Sequence, residues 1–239
     1  MAFFVCSGAY VLNDLLDIRT DSIIKPWRPL AAGRIGRRRA VDLVVVLWAI
    51  GIAFALLSGW PAVVFYIGWT ALLWAYSWKL KAAGWIGHAV VSLVAASGFV
   101  LGALVGGAWT AGLMPFAIAF LFHLSREVAK AVADATGDRS AALATLAVRM
   151  GERRALAVLV WLMFAVGVVG LVPFASGLYG GLYFLPVAAL IYPLLAVCIW
   201  IVVRARRDGR EPGPAAGTVS RLLKAAMPVG LLAFFLAGV

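Results

Sequence analysis

The sequence predicts an all-α, multi-pass transmembrane helix bundle, and three observations carry that expectation. Hydrophobic residues make up 64% of the chain and charged residues 13%, whereas a soluble domain carries roughly 45–50% and about 25%; the chain lacks the polar surface to coat a water-exposed globule. Its apolar runs are long and continuous, as in spanning helices, not alternating as in barrel strands. Lys and Arg fall in four stretches, Arg19 to Arg39, Lys79 with Lys81, Arg126 to Arg154, and Arg204 to Lys224. Between consecutive stretches lies enough apolar sequence for a down-and-up helix pair, so every stretch can face the cytoplasm under the positive-inside rule. At 239 residues and about 20 per span, the whole chain, 1–239, reads as one membrane domain.

The elements follow in order. Apolar sequence runs from Ala2 to about Leu12 before Asn13 and Asp14. This is barely half a span, and with the next basic segment cytoplasmic it predicts a further apolar helix upstream, so the domain reads as N-terminally truncated. The first full pair is about Val41 to Leu57 and Pro61 to Ala75, turned by Ser58-Gly59-Trp60. The second is about Trp85 to Val105 and Leu113 to Leu124, joined by Gly106-Gly107-Ala108-Trp109-Thr110. The third is about Ala155 to Phe174 and Tyr183 to Val203, and a last helix spans about Leu222 to Val239. Glu211-Pro212-Gly213-Pro214 reads as a helix-breaking loop. Trp60, Trp109, Tyr179 and Tyr183 sit where interfacial anchors belong.

The net charge of +11 would suit nucleic acid in a soluble protein; here topology accounts for it, and no nucleic-acid partner is expected. Cys6 and Cys198 lie far apart in apolar runs and read as small buried hydrophobes. Acidic residues do little for orientation, yet six of the ten cluster in two short segments. Helical spacing puts Asn13, Asp17 and Asp21 on one stripe with Asp14 beside them, and Arg126, Lys130, Asp134 and Asp138 on another. Both lie at cytoplasmic helix ends, so the two sets can face each other across one bundle mouth. Facing carboxylates repel unless cations sit between them. Mg²⁺ suits hard oxygen ligands and usually shares its shell with phosphates, which points to a diphosphate. Lys25, Arg28, Lys79, Lys130 and Arg139 are placed to neutralise it, and the apolar interior suits a hydrocarbon tail. His88 and His123 read as polar contacts.

The segment Asn13-Asp14-Leu15-Leu16-Asp17-Ile18-Arg19-Thr20-Asp21 matches the NDxxDxxxD signature of the UbiA-type intramembrane prenyltransferases, and Asp134 and Asp138 are similar to that family's DxxxD motif. Lys25-Pro26-Trp27-Arg28-Pro29-Leu30, Tyr76-Ser77 with Lys79 and Lys81, and Gly137-Asp138-Arg139 extend the resemblance over nearly the whole chain, although Ala131 stands where many members carry Asp. The resemblance implies a bundle of nine helices, about eight present here, and Mg²⁺-dependent transfer of an isoprenyl group from a prenyl diphosphate to a hydrophobic acceptor in the lipid bilayer. It also implies metal and diphosphate binding by Asn13, Asp17, Asp134 and Asp138, support from Asp14 and Asp21 in catalysis, and a grip on phosphate by Arg28, Lys79, Lys130 and Arg139. Arg126-Glu127-x-x-Lys130 resembles the branch that alkylates geranylgeranylglyceryl phosphate, with aromatic quinone precursors as the other acceptor class. A non-catalytic prenyl-diphosphate binder and a membrane carrier are the alternatives. A carrier places ionisable groups at mid-membrane, and the later spans have none there.

Overall fold

The structure is a computed structural model that describes residues 1–140 and 144–238. Among them the chain folds as α1 (Ala2–Leu16), α2 (Ile18–Ile24), α3 (Arg37–Leu57), α4 (Trp60–Trp78), α5 (Trp85–Ala96), α6 (Gly98–Val105), α7 (Leu113–Ser140), α8 (Leu146–Met150), α9 (Glu152–Ala175), α10 (Gly181–Pro186), α11 (Tyr192–Arg207) and α12 (Pro212–Leu236). No strand occurs among the described residues. With α5 and α6 taken as one rod and α10 and α11 as another, eight long helical rods remain: α1, α3, α4, α5–α6, α7, α9, α10–α11 and α12. Five are long and apolar enough to cross a membrane, Arg37–Leu57, Trp85–Val105, Glu152–Ala175, Gly181–Arg207 and Pro212–Leu236.

Two subclusters hold the bundle together. α1 packs on α3 and α4, with Val5, Trp69 and Val94 buried at their junction. The larger core lies among α7, α9, α11 and α12, where Leu156, Leu159, Met163, Val202, Val219 and Leu223 are all but inaccessible. Many remaining large apolar side chains point outward, among them Leu57, Trp161, Leu185 and Phe235. That is the surface a helix presents to hydrocarbon, not to water.

Several expectations shift. The last helix begins ten residues earlier than read, at Pro212, because prolines in a first helical turn lack only N–H groups that have no intrahelical partner anyway. The span read as Leu113 to Leu124 continues without a break through the acidic segment to Ser140. Tyr179 and Tyr183 are buried, not interfacial: Tyr183 is 1% exposed and donates from its hydroxyl to the Gly170 carbonyl at 2.8 Å. Trp60 and Trp109 do remain exposed. After Pro186 the helix widens into a π turn, Val187–Ile191, before α11 resumes, a local adjustment to the missing proline donor. The expected end of the final helix at Val239 lies outside the described residues.

Candidate functional site

The first acidic segment is a helix that bends at Asp17 but keeps its ladder. α1 ends at Leu16 and α2 starts at Ile18, with Asp17 at φ −91°, ψ 3°. Backbone bonds from Asp17 to Asn13, Asp21 to Asp17 and Lys25 to Asp21 carry the i, i+4 stripe across the bend. On it, Asn13 Nδ2 donates to Asp17 Oδ2 at 2.9 Å. Arg28 folds back from the following loop so that Nη1 donates to both Asp14 Oδ1, at 2.8 Å, and Asp21 Oδ2, at 2.7 Å. Asp21 is buried. Burial also raises the Asp14 carboxyl above its ordinary value, against the opposing pull of the Arg28 guanidinium.

Lys81 Nζ bonds Asp17 Oδ2 from a different part of the chain. It sits in a one-turn 3₁₀ helix, Leu80–Ala82, between α4 and α5. Gly84 takes φ +67° just after it, a region favouring glycine. Gly87 lies so close to the turn that a Cβ there would stand 2.7 Å from the Leu80 carbonyl oxygen. The tight corner carries Lys81 to the first acidic set, while Lys79, the lysine singled out by sequence, is exposed. Lys79 stands before the turn and Lys81 within it, and the change of backbone direction between them, invisible to a spacing argument, decides which one reaches Asp17.

The second set rides on α7. At about 100° per residue, Asp138, Asp134, Lys130, Glu127 and His123 all lie within roughly 40° of one line down the helix. Asp134 and Lys130 are exposed, Asp138 is half-buried and Glu127 is 7% exposed. Asp138 Oδ2 accepts from Thr145 Oγ1 at 3.0 Å. Burial lifts the Asp138 carboxyl above its ordinary value, and the Thr145 bond works the other way. Arg139 leaves this line: its Nη2 pairs with Glu152 Oε1 at 2.6 Å in a polar groove lined also by Thr136, Glu211 and Arg221. No ion pair to Asp134 or Asp138 occurs among the described residues.

The two sets do not merge into one cluster: among the described residues no three His, Cys, Asp or Glu groups stand close enough together to hold a metal by themselves. Residues of both sets nevertheless lie within electrostatic reach of one side chain. Tyr76, at the end of α4, lies in the electrostatic field of Asp17 from the first set and of Glu127 and Asp138 from the second. Deeper in the bundle is a cavity of about 320 Å³, walled by α5–α6, α7, α9, α10–α11 and α12. Its lining is apolar apart from His123 and two tyrosines, and the hydroxyls of Tyr183 and Tyr192 are spent on the carbonyls of Gly170 and Gly167. At its far end Phe234 meets Phe99 edge to face, with ring centroids 5.1 Å apart, and stacks on Tyr183 at 5.8 Å.

This arrangement pairs a carboxylate-rich, partly wet mouth with a dry pocket below, suited to a ligand with an anionic head and a hydrocarbon tail. Comparison with known proteins runs the same way. The model of the UbiA prenyltransferase family matches residues 1–213. Digeranylgeranylglyceryl phosphate synthase of Methanopyrus kandleri is 32% identical over 234 residues, covering 98% of this chain and 83% of the relative. Its counterpart in Hyperthermus butylicus is 37% identical over 241 residues, covering 96% and 80%. Among solved structures, one giving insights into digeranylgeranylglyceryl phosphate synthase in membranes superposes with a TM-score of 0.75 at 26% identity, over 98% of this chain and 82% of the other. A UbiA homolog from Archaeoglobus fulgidus bound to GPP and Mg²⁺ shares the fold at a TM-score of 0.67 and 19% identity, over 99% and 84%.

Proposed function

This chain belongs to the UbiA prenyltransferase family, and on that premise we propose that it is a membrane-embedded, Mg²⁺-dependent enzyme that transfers an isoprenyl group from a prenyl diphosphate to geranylgeranylglyceryl phosphate. The observation that carries the reading is the vertical order along α7, with Asp134 and Asp138, which form no ion pair among the described residues, at the mouth and the apolar cavity beginning at His123. The acceptor follows from the names of the relatives. Residues 1–239 act as a single domain, and the mouth faces the cytoplasm because every basic stretch lies at that end of the helices.

The donor set fits Mg²⁺. All its candidate ligands are hard oxygens, and Asp134 and Asp138 have no basic side chain on them among the described residues. Asn13 and Asp17 from one side and Asp134 and Asp138 from the other would hold Mg²⁺ and the diphosphate between them, since neither set gathers enough ligands by itself. Bound there, Mg²⁺ supplies Lewis-acid stabilisation of the negative charge that builds on the leaving diphosphate. Lys81 fixes Asp17 from the side, and Arg28 clamps Asp14 to Asp21 and holds the bend of the first motif in place. Lys130, exposed on the α7 line, meets the outer phosphate oxygens. The cavity takes the hydrocarbon tail and keeps water from the allylic carbon as its bond to oxygen breaks.

The test is to incubate membranes containing the protein with geranylgeranyl diphosphate, Mg²⁺ and a panel of acceptors that includes geranylgeranylglyceryl phosphate and an aromatic quinone precursor, and to identify products by mass spectrometry. The expected product is the doubly prenylated glyceryl phosphate, formed with Mg²⁺ and not after chelation. Transfer only to the aromatic acceptor would overturn the acceptor assignment. Donor binding without any product would leave a non-catalytic binder.

A further inference from the structure

Buried polar atoms almost always have partners, and an exception calls for an explanation such as an absent ligand. Three such side-chain atoms lack one among the described residues: Thr70 Oγ1, His88 Nε2 and Arg126 Nε. One of them belongs to Arg126, which touches Glu127, and another to His88, on the helix that packs against α7. Glu127 is 7% exposed, and its one polar partner is the adjacent Arg126, whose Nη1 meets Oε1 at 2.7 Å while Nε stays empty. His88, in the first turn of α5 where that helix packs on α7, lies in the field of Glu127, Lys130 and Asp138. A buried acid paired with a guanidinium that keeps a spare donor thus lies on α7, and an imidazole with a free nitrogen lies on the helix packed against it.

Its position is informative. Glu127 lies seven residues below Asp134, about 10 Å by helical rise, and on the same line. Arg126 is turned roughly 80° from that line, toward the side on which Ala119, Phe122 and His123 wall the cavity. The pair therefore stands between the acidic mouth and the apolar pocket, below the residues that would hold the diphosphate and beside the cavity that would take the tail. An attacking acceptor has to present its nucleophile at that depth.

Resting on the prenyl-transfer reading above, we infer that Arg126, Glu127 and His88 form the seat for the polar end of the acceptor, an alcohol with an anionic group beside it. Arg126 takes the anionic group through its spare Nε–H, and His88 holds the hydroxyl in line. In the transfer, the acceptor oxygen forms a bond to the first carbon of the prenyl chain. The bond from that carbon to the diphosphate oxygen breaks, and its electron pair leaves with the diphosphate. The hydroxyl proton passes to the Glu127 carboxylate. The groups facing Glu127 are Arg126, Lys130 and His123 on α7, His88 on α5 and Tyr76 on α4.

The full chain in lipid nanodiscs, with geranylgeranyl diphosphate, Mg²⁺ and geranylgeranylglyceryl phosphate, separates this seat from a structural role, because donor binding and transfer are read independently. In Glu127→Gln, donor Kd should stay within about 2-fold of the parent while kcat for transfer falls about 100-fold or more, the usual worth of a positioned proton acceptor. In Arg126→Lys, acceptor KM should rise about 10-fold with kcat nearly unchanged, as for loss of one charge-assisted hydrogen bond. Transfer by Glu127→Gln within 3-fold of the parent, or donor binding lost in step with transfer, overturns the seat. If Glu127→Gln does not fold, His88→Gln decides: acceptor KM raised about 5-fold or more at constant donor Kd supports the seat, and an unchanged KM refutes it. A parent protein that binds donor yet transfers to no acceptor refutes the prenyl-transfer reading itself, whereas an active parent with indifferent variants refutes the seat alone.

Discussion

Asp17→Asn is the sharpest perturbation of the first motif, because its structural and chemical consequences differ in size. Asp17 is 16% exposed at its side chain and Lys81 31%, so the pair is half in the interface and partly screened. Asn keeps an oxygen that can accept from both Asn13 and Lys81. Losing only the charge should lower stability by about 1 kcal/mol or less, a melting shift of roughly 2–4 °C for a chain of this size. Losing a hard anionic ligand is a larger effect: altered partners of metal ligands already cost about 10–100-fold, and a ligand itself should cost well over 100-fold, close to 3 kcal/mol at 1.36 per decade. Initial rates with radiolabelled geranylgeranyl diphosphate and melting curves on the same preparation measure the two together. Asp138→Asn should behave alike, and the double variant should be little slower than either single one, since groups serving one leaving diphosphate act as a unit. A well-folded Asp17→Asn protein with Mg²⁺-dependent transfer within tenfold of the parent would refute the reasoning and return the acids to the role of helix-end ion pairs.

Other outcomes follow from particular contacts. Lys81→Ala should slow transfer at least tenfold more than Lys79→Ala, because only Lys81 reaches Asp17; equal effects in a rate assay would contradict the corner geometry. Gly230 lines the cavity and has no atom within 4 Å of a would-be Cβ. Gly230→Leu has room for its Cβ and should narrow the cavity, keep or raise the melting temperature through its helix propensity, and weaken binding of a twenty-carbon donor several-fold more than that of a ten-carbon one. Loss of both donors in equal measure would place the tail elsewhere. Reporter fusions after Lys79 and Arg139 should both report a cytoplasmic location, and opposite sides would break the helix count.

How much of this was legible in the sequence depended on range. Span positions followed from apolar length alone, which is why α3 and the Ser58–Gly59 turn fall where composition puts them. The i, i+4 spacing of Asn13, Asp17 and Asp21 survives a bend at Asp17 because backbone bonds bridge it. Contacts that depend on folding back from afar were not legible: nothing local says that Arg28 clamps Asp14 to Asp21, or that Lys81 and not Lys79 turns toward Asp17. Tyr183 looked like an interfacial anchor because it follows a glycine-rich turn, yet the Gly170 carbonyl draws it into the core. Ala131, where the motif resemblance leads one to expect Asp, lies on the buried face of α7 at 3% exposure, among packed aliphatic neighbours that a carboxylate would meet. Sequence alone reads His88 as a polar contact and Glu127 as one member of the Arg126-Glu127-x-x-Lys130 pattern; the packing of α5 on α7 is what relates the two.

α7 is one uninterrupted helix of 28 residues, about 42 Å long, and it carries the acidic mouth, Glu127 and the cavity wall on a single rigid rod. Two helices packed on it, α9 and α12, carry prolines in their interiors, places where an irregularity can be absorbed, whereas the one proline of α7, Pro115, sits in its first turn. α7 has none between His123 and Asp138, so its tolerance of length change is set by angle. One extra residue in that stretch would swing the acids about 100° away from the line below them, two would carry them to nearly the opposite side, and seven would restore them to within about 20° while lifting them a further 10 Å. Length variation among working relatives in this stretch is therefore expected to be absent or to come in whole turns, and an alignment gap of one or two residues between His123 and Asp138 would identify a protein that has lost this chemistry.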